Sequence, residues 1–149
     1  MGRLMVAYAV LSIAALIDAQ TQIIPNALVL ILIGTRLIYF VADVIKGDED
    51  SFSNLLWTLA FSVVVFILLC LLAAISKNGI GMGDIKLISA LSLLCGLRVT
   101  IFTLICALAV CVVISVIMIA QKKKTIKEEV AFGPYIMVGY ILSIMMGVF

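Results

Sequence analysis

Long apolar runs separated by short polar breaks fill almost the whole chain, and their lengths predict its elements. The first run extends from about Leu4 to Ile17 and ends at the polar patch Asp18-Ala19-Gln20-Thr21-Gln22. After Ile23-Ile24, Pro25 suits the first turn of a helix, where a missing backbone N–H does no harm, so Pro25-Asn26 opens a second run to about Phe40. A break from Asp43 to Asn54 holds the charged stretch Lys46-Gly47-Asp48-Glu49-Asp50-Ser51, which reads as a solvated loop. The third run covers about Leu55 to Ile75, with Trp57 near one end as an interfacial anchor. A fourth spans Ile85 to about Cys95 and a fifth about Val99 to Ala120, with the turn Gly96-Leu97-Arg98 between them. Ala131-Phe132-Gly133-Pro134-Tyr135 opens the last, which ends at Phe149.

A hydrocarbon core of ~30 Å takes ~20 apolar residues per helical crossing, so the pattern predicts an all-α bundle of about six transmembrane helices with short loops. The fourth run is short for a crossing unless it starts inside the interface or the protein thins the bilayer locally. Composition agrees: 66% of the 149 residues are hydrophobic, 12% are charged, and mean hydropathy is +1.38. That excludes a soluble domain and predicts one polytopic membrane domain over residues 1–149, with lipid as its solvent. A formal net charge of +2 comes largely from one loop and gives no nucleic-acid-binding face. Arg3 before an apolar run could belong to a signal peptide, but no A-x-A site closes the run and Asp18 stands where cleavage would fall. The run is therefore read as the first span.

Histidine is absent, and Cys70, Cys95, Cys106 and Cys111 form no C-x-x-C pair, so neither a metal site, a cofactor nor a disulfide framework is expected. The cysteines read as small packing residues. Ala107, Cys111 and Ser115 recur every four residues, a row that lets one membrane helix approach another closely.

Against this background Gly79-Ile80-Gly81-Met82-Gly83-Asp84-Ile85-Lys86 stands out. Three alternating glycines loosen the backbone, and a carboxylate beside a membrane span costs ~2.5–3.5 kcal/mol at a helix centre, so its default reading is functional. Its partner is Asp18. Singly, Asp18 could be a solvated helix end, Asp84 an N-cap for the fourth span, and Lys86 a snorkelling side chain, while Pro25 and Pro134 start helices. Together, two carboxylates suit general acid–base work on water: held close, they share one proton, the ionised member activating water and the protonated one polarising a peptide carbonyl. Glycines such as Gly81 and Gly83 let an extended peptide approach. Asp18 lies at a helix C-terminus and Asp84 at a helix N-terminus with Lys86 close by, so Asp84 is expected to ionise first.

Counting spans puts Asp18, Asp84 and the Gln121–Glu129 segment on one side of the membrane. That side carries Lys77, Lys86, Lys122, Lys123, Lys124 and Lys127 against Arg3, Arg36, Lys46 and Arg98 on the other. Short basic loops stay cytoplasmic, so both aspartates are expected at the cytoplasmic face of the plasma membrane, with both termini outside.

Gly81-Met82-Gly83-Asp84-Ile85-Lys86 resembles the GxGD motif, with its following lysine, of the type IV prepilin leader peptidases. Asp18 followed by Pro25-Asn26 is similar to that family's first aspartate and its D…IPN pattern, and Phe132-Gly133-Pro134 to its FGP segment. The resemblance implies an aspartic endopeptidase that removes the basic leader of prepilins or pseudopilins just before their hydrophobic helix. It implies Asp18 and Asp84 as the catalytic pair, with Gly81, Gly83, Lys86, Pro25 and Asn26 in support. Bifunctional members carry an added cytoplasmic segment with paired C-x-x-C motifs linked to N-methylation; without it, a peptidase-only form is expected. Three other readings compete. A scaffold or accessory subunit of a secretion machine is compatible with the composition, but the expense of two carboxylates argues against it. A presenilin-like protease would have a tyrosine before the first aspartate and a PAL motif, whereas Ile17 precedes Asp18 and PAL is absent. A small proton-coupled transporter or channel subunit would use the acids to carry protons and the glycine loop as a broken helix.

Overall fold

The computed structural model describes residues 2–47, 50–75, 81–120 and 132–148, with the side chains of 118–120 excepted. They form six helices: α1 (Gly2–Thr21), α2 (Asn26–Ile45), α3 (Ser51–Ile75), α4 (Met82–Cys95), α5 (Leu97–Ala120) and α6 (Gly133–Met145). Among the described residues there is no strand, and the all-α membrane bundle expected from the apolar runs is what the chain forms. Over Gly2–Thr21, Asn26–Ile45, Ser51–Ile75 and Leu97–Ile117 the helices are long and apolar enough to cross a membrane.

Several boundaries differ from the apolar runs. Helix α1 continues through Asp18 to Thr21, α2 takes in Asp43, and α3 starts at Ser51 rather than Leu55. Helix α4 begins at Met82, so its N-cap is Gly81 and Asp84 lies inside the first turn. Asp84 is therefore not the cap of α4. In each case a polar residue is absorbed into a helix because a partner or burial accommodates it: Asp43 pairs with Arg3, and Ser51 is buried. Helix α6 stops at Met145 and the chain turns through Gly147, whose φ of +68° suits glycine.

Helix α4 is the hub. It is only 14 residues long, about 21 Å, and it packs against α1, α2, α3 and α5. Ile85, Leu87 and Leu91 are wholly enclosed there. By contrast α3 buries only Ser51, Leu69 and Ala73 of its described side chains and turns Phe52, Trp57, Val64 and Leu71 outward. An all-round apolar surface of that kind is stable where hydrocarbon is the solvent.

Polar contacts tie the helices where lipid supplies no partner. Ser62 Oγ of α3 donates to the Ser89 carbonyl of α4 at 2.8 Å. The Tyr140 hydroxyl, fully buried on α6, donates to the Leu4 carbonyl of α1 at 2.9 Å. Away from Asp18, Arg3 pairs with Asp43 and sits over the Tyr39 ring at 5.0 Å, while buried Arg36 donates to Thr58 Oγ1 at 3.2 Å. Arg36 is thus a structural cation inside the bundle rather than a loop charge.

Helices α5 and α6 approach closely at Gly139. A Cβ added to Gly139 would meet the Thr103 carbonyl oxygen and the backbone nitrogen of Ala107, the fully buried member of the expected small-residue row. Replacing Gly139 by Leu should lower bundle stability by about 1–3 kcal/mol, since rigid backbone cannot make room. Thermal unfolding in detergent checks this; an unchanged midpoint would contradict so close an approach.

Candidate active site

Asp18 sits in the last turn of α1 and is 4% exposed. The chain leaves α1 abruptly: Gln22 donates its N–H to the Asp18 carbonyl at 2.9 Å and adopts φ +54°, while Thr21 Oγ1 reaches back to the Ile17 carbonyl at 2.9 Å. Ile24 precedes Pro25, which disfavours helical geometry at that residue, and Pro25 itself is extended (φ −63°, ψ 133°). Pro25 is thus the N-cap of α2 and Asn26 its first helical residue, one position later than the sequence suggests.

This short segment lies on the first turn of α4. Ile24 is buried, and a Cβ on Gly83 would stand 3.0 Å from Ile24 Cβ and 3.5 Å from its backbone nitrogen. The missing side chain at Gly83 is what admits Ile24. Next to it, Lys86 Nζ donates to Asn26 Oδ1 at 3.3 Å. The two segments singled out in the sequence, Ile24-Pro25-Asn26 and Gly81-Met82-Gly83-Asp84-Ile85-Lys86, therefore touch through a glycine vacancy and one hydrogen bond. Lys86 stands two positions from Asp84 on a helix, a spacing that points side chains apart. Its ammonium reaches Asn26 instead of the carboxylate, and the expected support of Asp84 by Lys86 is not found.

Asp84 is 8% exposed, and its Oδ1 has no hydrogen-bond partner among the described residues. A Cβ on Gly81 would fall 3.1 Å from Asp84 Oδ2, so a glycine there leaves the carboxylate its room. Asp18 lies near enough for its charge to act on Asp84. Both acids are held at one end of the bundle, as parity predicts.

Sequence reasoning assigned no part in the site to Gly133 beyond opening the last span. Its N–H, at the start of α6, donates to Asp18 Oδ2 at 2.7 Å. The local signal was present: a glycine followed by proline at a helix start. The Gln121–Glu129 segment and Gly79-Ile80 lie outside the described residues. Among the described residues, no group of three or more His, Cys, Asp or Glu side chains gathers that could hold a metal ion.

A constellation of two buried carboxylates, glycines packed against both and an amide aimed at one can polarise a carbonyl and activate water. Comparisons with known proteins bear on what it does. A prepilin leader peptidase/N-methyltransferase of Pseudomonas aeruginosa is 27% identical over 133 residues, which is 89% of this chain and 45% of the relative. The chain thus spans less than half the length of that relative. No solved structure matches. The model of the type IV leader peptidase family matches residues 5–117, a stretch that includes Asp18, Ile24-Pro25-Asn26 and Gly81–Lys86, and the chain belongs to that family.

Proposed function

We propose that this protein is a membrane aspartic endopeptidase that cuts the leader from type IV prepilins or pseudopilins, with Asp18 and Asp84 as the catalytic pair. The observation that carries the reading is that both acids are buried, Asp18 against Gly133 and Asp84 beside Gly83, on which Ile24 of the segment leaving Asp18 packs. Family membership supplies the reaction class, and the site supplies a division of labour.

The Gly133 N–H holds the Asp18 carboxylate against the start of α6, whereas Asp84 Oδ1 has no hydrogen-bond partner among the described residues. On this geometry Asp18 is assigned as the base and Asp84 as the acid, the opposite of the order expected from helix ends alone. Asp18 takes the proton from water, whose oxygen attacks the scissile carbonyl carbon. Asp84, holding the proton of the pair, donates from its carboxyl to the carbonyl oxygen. Collapse of the tetrahedral intermediate breaks the C–N bond: the proton held by Asp18 passes to the leaving amine, while one hydroxyl proton of the intermediate returns to Asp84 as the carbonyl re-forms, restoring the pair. Gly81 leaves the Asp84 carboxylate its room, and Gly83 seats Ile24 against the first turn of α4.

The test is incubation of the purified protein with a prepilin bearing its leader. A product shortened by the leader is expected; an intact substrate under conditions that preserve the fold would refute the reading. We also propose that the site faces the cytoplasm, supported by the lysine-rich side on which the acids lie and by the removal of Arg36 from the opposing loop charges. In a cysteine-free background, Lys46→Cys should react with an impermeant thiol reagent added outside cells, and Gln20→Cys only after permeabilisation. Both positions are exposed. The reverse pattern would overturn the orientation.

A further inference from the structure

The start of α6 has a chemistry that its length and hydropathy do not explain. A helix leaves its first four N–H groups without intrahelical partners. In α6 these belong to the N-cap Phe132 and to positions 133 to 135. Pro134 has no N–H, and Tyr135 donates to the Phe132 carbonyl at 3.0 Å, beside the first helical bond from Ile136 at 3.1 Å. Gly133 keeps its donor for another element, and that donor meets Asp18 Oδ2 across 115 residues of sequence.

Gly133 is matched to this task on its other side too. A Cβ there would stand 2.8 Å from Asp18 Oδ2, 2.9 Å from its Cβ and 3.1 Å from its Cγ. Yet Gly133 is not among the residues with positive φ, so its backbone does not itself require glycine. What requires it is the Asp18 side chain. The helix that carries the amide is fixed against both neighbours, through Tyr140 to the Leu4 carbonyl of α1 and through Ser143 to Thr103 of α5 at 3.2 Å.

We propose that Gly133 is a positioning residue: its N–H aims the Asp18 carboxylate at the attacking water, and its lack of a side chain lets that carboxylate seat against α6. The catalytic part of this proposal rests on the peptidase reading; the contact itself does not. Two measurements test them separately. In amide-resolved hydrogen exchange, the Gly133 N–H should be protected in the wild type and should exchange at least about tenfold faster in Asp18→Ala, but not in Asp84→Ala. Equal exchange in wild type and Asp18→Ala would overturn the contact, whatever the protein cleaves.

In prepilin cleavage, Gly133→Ala keeps the N–H but crowds the carboxylate. It should lower kcat on the order of 10²-fold, the size expected for a reacting group displaced by about 1 Å, with KM nearly unchanged. A normal kcat, or a raised KM alone, would overturn the positioning role while leaving the peptidase reading intact. Failure of the wild type to cleave, with Gly133 still protected by Asp18, would refute the peptidase reading and with it the catalytic part of the proposal, while the contact would stand. Should Gly133→Ala not fold, the exchange comparison still decides the contact, and Pro134→Ala tests the role. That variant offers Asp18 a second N–H beside the first and should keep kcat within about threefold, because the Gly133 donor is untouched. A loss as large as that expected of Gly133→Ala would show that α6 acts only as packing and overturn the role.

Discussion

Asp18→Asn and Asp84→Asn should each reduce cleavage of a leader-bearing prepilin by about 10³-fold or more, since each removes one half of an acid–base pair. The amide cannot accept a proton from water, nor give one to a carbonyl, at neutral pH. Neither substitution should unfold the bundle. An asparagine at 18 still offers an oxygen to the Gly133 N–H, and an asparagine at 84 has nearly the same volume as the aspartate it replaces. The expected combination is lost turnover with wild-type behaviour in size-exclusion chromatography and thermal unfolding. Substantial turnover by either variant would end the two-aspartate mechanism and require another source of base or acid.

Gly83→Val is the second large effect, and it acts at one remove from the carboxylates. The added Cβ alone comes within 3.0 Å of Ile24 Cβ, and the two methyls of valine go further into a segment held by Pro25. Ile24 must lift away, carrying the start of α2 and stretching the Lys86 to Asn26 hydrogen bond. Overpacking of this kind costs about 1–3 kcal/mol in stability. A displacement of about 1 Å beside the reacting groups lowers kcat on the order of 10²-fold. Thermal unfolding and kcat, measured on the same preparation, should both fall. Wild-type values for both would mean that the segment does not rest on Gly83.

The six helices and the two acids were legible because each rests on a strong local signal. Apolar runs of membrane length leave few alternatives to helices, and a carboxylate within them is conspicuous. Boundaries were less legible, since Asp18, Asp43 and Ser51 look like loop residues until their partners or burial are known. Asp43 is balanced by Arg3, forty residues away, and no local pattern announces such a pairing. The same holds for Lys86. Its nearness to Asp84 in sequence suggested a positive charge within reach of that carboxylate, whereas helical geometry turns it toward Asn26, sixty residues earlier. The role of Gly133 escaped for the complementary reason: glycine before proline reads as a helix start, and only the packing of α6 on α1 gives its amide a target.

The hydrogen bond between Asp18 and Gly133 also orders events during biosynthesis. Ribosomes deliver Asp18 with the first helix and Asp84 with the fourth, but the amide that completes the surroundings of Asp18 arrives only with the sixth. Contacts of such long sequence separation form late, after intervening chain has been inserted and its closure entropy overcome. A nascent chain that holds only the first five helices already carries both acids, yet its first aspartate lacks the amide that seats it. Under the proposed mechanism, the pair would take up its working geometry only once α6 has packed on α1.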